Sequence, residues 1–148
     1  MSLAVCYGAA AAGAVFTSSA IPTWYSELIK PSWNPPNWVF APVWTALYTM
    51  MGVAMWLVWR QGGIGTAAWP AAAFGVLLAL NVAWSAIFFG LHKPGAAFAD
   101  LLALWLAILV TLVLFWQRDV LAGILMTPYL AWVSFAGAVN YAVWRLNP

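Results

Sequence analysis

Residues 95–116 read GAAFADLLALWLAILVTLVLFW, an apolar run whose single ionisable side chain is Asp100. A hydrocarbon core about 30 Å thick is crossed by about 20 helical residues at about 1.5 Å each, so this run predicts a membrane-spanning helix. Outward from it, polar breaks cut the rest of the chain into further pieces of similar length, at 3–21, 42–60, 68–91 and 120–146. The predicted fold is an all-α integral membrane protein, a five-helix bundle forming one domain over residues 1–148. Composition agrees: 66% of the 148 residues are hydrophobic and 5% charged, with mean hydropathy +0.92. A soluble domain carries about 25% charged residues and needs them to face water.

The few charges exclude several classes of function. A net charge of +2 offers no basic surface for nucleic acid. Cys6 is the lone cysteine, so an internal disulfide and a metal cluster are both excluded. Its surroundings, Leu3-Ala4-Val5-Cys6, lack the basic segment of a lipoprotein signal, and an ordinary buried thiol is expected. Breaks at 61–66, 92–95 and 117–119 are long enough only to reverse the chain, which makes consecutive helices antiparallel neighbours. Five spans place the two ends on opposite faces. Lys30, Lys93 and Arg145 fall on one face against Arg60 and Arg118 on the other, a one-charge bias toward a cytoplasmic first loop.

Only the connection 22–41 has room for structure of its own. It contains Trp24-Tyr25-Ser26-Glu27-Leu28-Ile29-Lys30-Pro31-Ser32-Trp33-Asn34-Pro35-Pro36-Asn37-Trp38. Pro31, Pro35 and Pro36 fix φ and remove donors, while Trp24, Tyr25, Trp33 and Trp38 supply apolar mass. A stiff, non-helical lid over a site is predicted.

Small residues mark where helices approach closely in lipid. Ala71, Gly75, Ala79 and Ala83 recur every fourth residue in the third span, and Ala9, Gly13 and Thr17 do so in the first. The third-span ridge serves either packing within one protomer or a homodimer seam. Asp100, about one turn into the fourth span, is read as a partner for the positive end of that helix or for a neighbouring terminus. A proton-coupled carrier would call for a second intramembrane acid.

Interior aromatic residues share helix faces with polar ones. Trp44, Tyr48, Met51 and Met55 lie on one face of the second span, and Asn81, Trp84, Ser85 and Phe88 on one face of the third. Tyr129, Trp132, Ala136 and Asn140 do the same in the fifth. Trp56, Trp59, Trp69, Trp105, Trp116 and Trp144 lie toward span ends and fit an interfacial belt. For the remainder, core packing and a ligand site are both open readings.

Three blocks carry a resemblance. They are Trp24-Tyr25-x4-Lys30-Pro31-Ser32-Trp33-x-Pro35-Pro36-x-Trp38-Val39-Phe40-x-Pro42-Val43-Trp44-Thr45-x-Leu47-Tyr48, Asn81-x2-Trp84-x3-Phe88-Phe89-Gly90, and Pro128-Tyr129-Leu130-Ala131-Trp132-x3-Ala136-x3-Asn140. The chain resembles the tryptophan-rich sensory protein/translocator protein family (TspO/MBR, peripheral benzodiazepine receptor) through all five spans in order. The resemblance implies a bundle whose first loop closes a pocket for porphyrins, such as haem and protoporphyrin IX, and for isoquinoline carboxamides. It also implies a homodimer.

Position by position, the resemblance makes Trp44 and Trp132 pocket tryptophans and Tyr25 a lid residue that reaches the ligand. Asn81 and Ala136 match further pocket positions, Ser85 departs from the threonine or asparagine of family members and implies a polar contact of shorter reach, and Tyr48, Trp84 and Asn140 join them from the shared faces above. Val139, Tyr141 and Arg145 fit a weak sterol-contact pattern proposed for animal members. A porphyrin is a flat apolar disc with two carboxylates at one edge, suited to aromatic faces and a cation at the opening. Lys30 in the lid is the candidate cation. With only His92 and Cys6 as strong axial donors, both near helix ends, porphyrin is expected as a ligand and not as an obligatory cofactor.

No hydrolytic or group-transfer apparatus can be assembled from these residues. The resemblance raises light- and oxygen-dependent porphyrin breakdown, with Trp44 and Trp132 as its redox-active candidates. The leading expectation is a membrane receptor or sensor that regulates tetrapyrrole level or stress signalling. The alternative is a transporter of tetrapyrrole or sterol-like molecules, although no internal repeat suggests the paired halves of many carriers.

Overall fold

The computed structural model describes the chain from Met1 to Pro148, the side chain of Ile64 excepted. Its helices are α1 (Ser2–Ala20), α2 (Trp24–Glu27), α3 (Asn37–Arg60), α4 (Gly63–Ser85), α5 (Pro94–Arg118) and α6 (Val120–Leu146). All but α2 are long and apolar enough to cross a membrane. The chain is therefore an integral, multi-pass membrane protein, as its composition requires.

The helices close into a ring in the order α1, α3, α6, α5, α4 and back to α1. One expectation fails here. α3 and α4 are joined by Gln61 and Gly62, yet each packs more extensively on α1 than on the other. α1 wedges between them with a glycine at a close contact on each side. A Cβ on Gly52 of α3 would stand 2.5 Å from Leu3 Cδ2, and one on Gly13 of α1 would stand 3.2 Å from Ser85 Oγ. Ser2 Oγ adds a hydrogen bond to the Gly52 carbonyl at 2.9 Å.

The Gly13 stripe of α1 is thus spent inside the protomer. The α4 ridge differs, since Gly75 and Ala79 are exposed and, among the described residues, nothing lies within 4 Å of a Cβ built on Gly75.

α4 ends in a π-helical turn, Ala86–Gly90, in which the Leu91 N–H reaches back to the Ala86 carbonyl at 2.8 Å. The wider turn brings Phe88 and Phe89 side by side toward the bundle interior. His92 follows with φ 55°, in the left-handed region, and Pro94 opens α5. At the other end of the bundle Asp119 caps α6 by accepting from the Ala122 N–H at 3.1 Å. Its second oxygen accepts from Gln61 Nε2 at 2.7 Å, which ties two turns together. These bonds, that of Ala122 foremost, hold the Asp119 carboxyl below the usual carboxylate range.

Three boundary expectations are corrected. α4 begins at Gly63 instead of 68, so the turn before it is Gln61 and Gly62 alone. The first connection is not wholly non-helical: Trp24–Glu27 forms one helical turn where no proline intervenes. α3 begins at Asn37 instead of 42, because Pro36 at the N-cap leaves Asn37 onward free to be helical, and Pro42 is accommodated inside the helix. Asp100 also departs from its expected role. It sits in the second turn of α5, too far along to serve the helix end, and its Oδ2 is buried without a hydrogen-bond partner among the described residues.

Candidate functional site

Beneath the first connection lies a cavity of about 40 Å³ lined by Tyr25, Pro35, Phe40, Trp84, Phe88, Phe89, Trp132, Phe135, Ala136, Val139 and Asn140. The wall is almost entirely apolar. Residues from the lid, α3, α4 with its π turn, and α6 meet there, so the site exists only where the tertiary fold joins them.

Each aromatic is held by another. Trp84 stacks on Phe88 with centroids 5.5 Å apart, Phe88 meets Phe89 edge-on at 4.8 Å, and Trp132 packs against Phe135 at 5.6 Å and Phe40 at 6.3 Å. Trp84 Nε1 donates to Asn140 Oδ1 at 2.9 Å, and Asn140 Nδ2 donates to the Pro94 carbonyl at 2.8 Å. This chain fixes the Trp84 ring and links α4, α6 and the start of α5. Trp132 Nε1 is the exception: it is buried and has no acceptor among the described residues. A buried N–H without a partner costs about 1–3 kcal/mol, which an acceptor brought by a ligand would recover.

The lid covers this wall closely. Tyr25 is 3% exposed and its ring contacts Phe88 and Phe89. Its hydroxyl donates to Asn34 Oδ1 at 3.3 Å, and burial pushes its pKa up, only partly offset by that bond. Lys30 Nζ sits 4.7 Å above the Tyr25 ring and donates to the Leu28 carbonyl. Trp24 lies flat on His92, 4.3 Å between centroids, and Trp33 leans on Phe135 at 5.9 Å. Pro31 is half-buried, Pro36 ends the lid, and Trp38, 75% exposed, faces outward.

Of the residues expected to bind a ligand, Tyr25, Trp84, Trp132, Ala136 and Asn140 line the cavity. Trp44, Tyr48, Asn81 and Ser85 do not. Trp44 packs on Tyr48 at 5.8 Å and on Tyr129 at 6.3 Å. Tyr48 donates to Asn81 Oδ1 at 2.9 Å, and Asn81 Nδ2 donates to the Tyr129 hydroxyl at 2.5 Å, a buried network on the bundle axis. Ser85 is used against Gly13. The sterol pattern does not converge either: Val139 faces the cavity, Tyr141 faces a separate groove of about 390 Å³ between α5 and α6, and Arg145 is exposed near the end of α6. Phe40, Phe89 and Phe135 were not singled out as site residues by sequence reasoning. The Phe88-Phe89-Gly90 block was the available signal for Phe89, but its inward turn depends on the π geometry.

Small-molecule sites typically enclose about 300–1,000 Å³. A cavity of about 40 Å³ holds little more than one water, so a larger guest enters only if the lid and the rings beneath it move aside.

The family model described as TspO/MBR family matches residues 2–145. The chain is 43% identical over 147 residues to "Protein CrtK" of Rhodobacter capsulatus, covering 97% of this chain and 88% of that one. It is 47% identical over 126 residues to the human "Translocator protein", covering 84% and 75%. To the "Tryptophan-rich sensory protein" of Cereibacter sphaeroides it is 40% identical over 141 residues, covering 93% and 87%.

Proposed function

Because the chain belongs to the TspO/MBR family, we propose that it is a membrane receptor and sensor. It binds porphyrins, haem or protoporphyrin IX, and related apolar ligands, and so regulates tetrapyrrole level or stress signalling. The observation that supports this reading best is the convergence of Tyr25, Phe40, Trp84, Phe88, Phe89 and Trp132 on one apolar cavity under a separate covering segment. A bundle needs no such cover for stability. Rings that now pack on one another would instead stack on a flat guest, exchanging one set of aromatic contacts for another of similar worth. Lys30, already at the lid over Tyr25, would be available to a propionate at the rim.

The exposed Gly75 and Ala79 of α4, flanked by the half-buried Ala71 and Ala83, favour a homodimer along this ridge. Two glycine- and alanine-rich ridges meet with close backbone approach, the contact that drives association in lipid.

The test is titration of detergent-purified protein with protoporphyrin IX, followed by tryptophan quenching, in wild type, Trp132→Phe and Ala136→Leu. Saturable binding weakened by Ala136→Leu, whose added carbons fill the cavity, supports the pocket. Quenching that never saturates and is the same in all three proteins means partition into the micelle, and removes the proposal.

A further inference from the structure

Just beyond α6, the side chain of Asn147 grips the lid backbone at one residue. The Ile29 N–H donates to Asn147 Oδ1 at 3.0 Å, and Asn147 Nδ2 donates to the Ile29 carbonyl at 2.9 Å. The same Nδ2 also donates to the Val143 carbonyl at 2.9 Å, and the Asn147 N–H bonds that carbonyl at 3.1 Å. A carboxamide carries an acceptor and a donor side by side, so it can satisfy both groups of one residue as a neighbouring β-strand would. Alanine can make neither bond, and aspartate can only accept. The contact joins positions 118 residues apart and ties the lid to the helix that bears Trp132, Ala136 and Asn140.

We propose that Asn147 is the latch of the lid, a positioning residue that sets how often the cavity opens. The lid's other attachments among the described residues are apolar contacts, chiefly Trp24 on His92, Tyr25 on the Phe88–Phe89 pair and Trp33 on Phe135, with Leu28 packed against the same cluster. Such rings slide and re-pack without a defined breaking point. The paired hydrogen bonds at Ile29 are directional and break together, which makes opening a discrete step. With the cavity at about 40 Å³ when closed, any guest larger than water waits on that step. The role in ligand entry rests on the pocket proposed above; the role in lid opening does not.

The experiment separates the two. Backbone hydrogen exchange of residues 24–34 and of 140–146 is followed by mass spectrometry in ligand-free wild type, Asn147→Ala and Asn147→Asp, because exchange of a locally opening segment reports its opening equilibrium. Loss of both bonds raises lid exchange about tenfold in Asn147→Ala, with a smaller rise in Asn147→Asp, which keeps the acceptor for Ile29. Stopped-flow protoporphyrin IX binding then gives association and dissociation both faster by a similar factor, with the equilibrium constant changed less. Lid exchange unchanged in both variants, or a rise confined to 140–146, overturns the latch and leaves Asn147 as a helix end alone. Faster lid exchange with saturable binding at unchanged rates keeps the latch but shows that the ligand enters elsewhere. Faster exchange with no saturable binding keeps the latch and removes the porphyrin pocket.

Discussion

Replacing Asn81 by alanine tests whether the three-residue network on the bundle axis is a structural core or a ligand contact. The change strips Tyr48 and Tyr129 of their shared amide at once, where Tyr48→Phe or Tyr129→Phe each orphans only one atom of Asn81. Two magnitudes compete. Interhelical hydrogen bonds in membranes average about 0.6 kcal/mol because the reference state finds other partners, which would make the loss about 1 kcal/mol. Leaving a truly buried group unpaired costs about 1–3 kcal/mol, or about 2–6 kcal/mol for two hydroxyls. Burial decides for the larger range: Tyr129 is 0% exposed, Asn81 3% and Tyr48 4%, so bulk water does not reach the freed hydroxyls. At about 2–4 °C per kcal/mol, Asn81→Ala should lower the apparent Tm in detergent by about 4 °C or more, at fixed scan rate. The all-apolar Tyr48→Phe/Asn81→Leu/Tyr129→Phe protein removes every partner together and should unfold at a higher temperature than Asn81→Ala. Protoporphyrin IX affinity should be unchanged in this triple variant, since none of the three lines the cavity. An Asn81→Ala midpoint within about 2 °C of wild type, or a triple variant that loses the sum of its single losses, would refute the reasoning.

Further outcomes follow from other parts of the molecule. A Cβ on Gly75 meets nothing within 4 Å among the described residues, so Gly75→Leu should leave the monomer's Tm unchanged while abolishing the proposed dimer, followed by crosslinking in bilayers; an undiminished dimer moves the seam off α4. Asp119→Ala removes the α6 cap and the tie to Gln61 and should lower Tm. Since the folded Asp119 carboxyl lies below its unfolded value, its contribution is present above the unfolded pKa and fades as pH falls through the folded one. The Tm gap between wild type and Asp119→Ala should therefore narrow on acidification; a gap independent of pH would assign the effect to packing.

The apolar runs were sufficient to place the helices, because a lipid core demands about 20 residues of low polarity whatever surrounds them. Faces were legible from helical spacing: Met51, Tyr48, Tyr129 and Asn140 all point inward as it requires. What spacing cannot supply is depth and partner. Trp44 and Trp132 both look inward, yet of the two Trp132 alone meets the cavity, while Tyr48 spends its hydroxyl on Asn81 and Asn81 donates its amide N–H to Tyr129.

By itself, then, the sequence determined a five-span α-helical membrane protein with an aromatic cover on its first connection, since composition and length leave no other way to satisfy backbone groups in lipid. Tertiary structure alone decided that α1 separates α3 from α4 through Gly13 and Gly52, that a π turn brings Phe89 into the wall, and that the lid is fastened by Asn147. The first and last of these depend on atoms far apart in sequence brought within about 3–4 Å, to which helical periodicity is blind, and the π turn is a local departure from that periodicity.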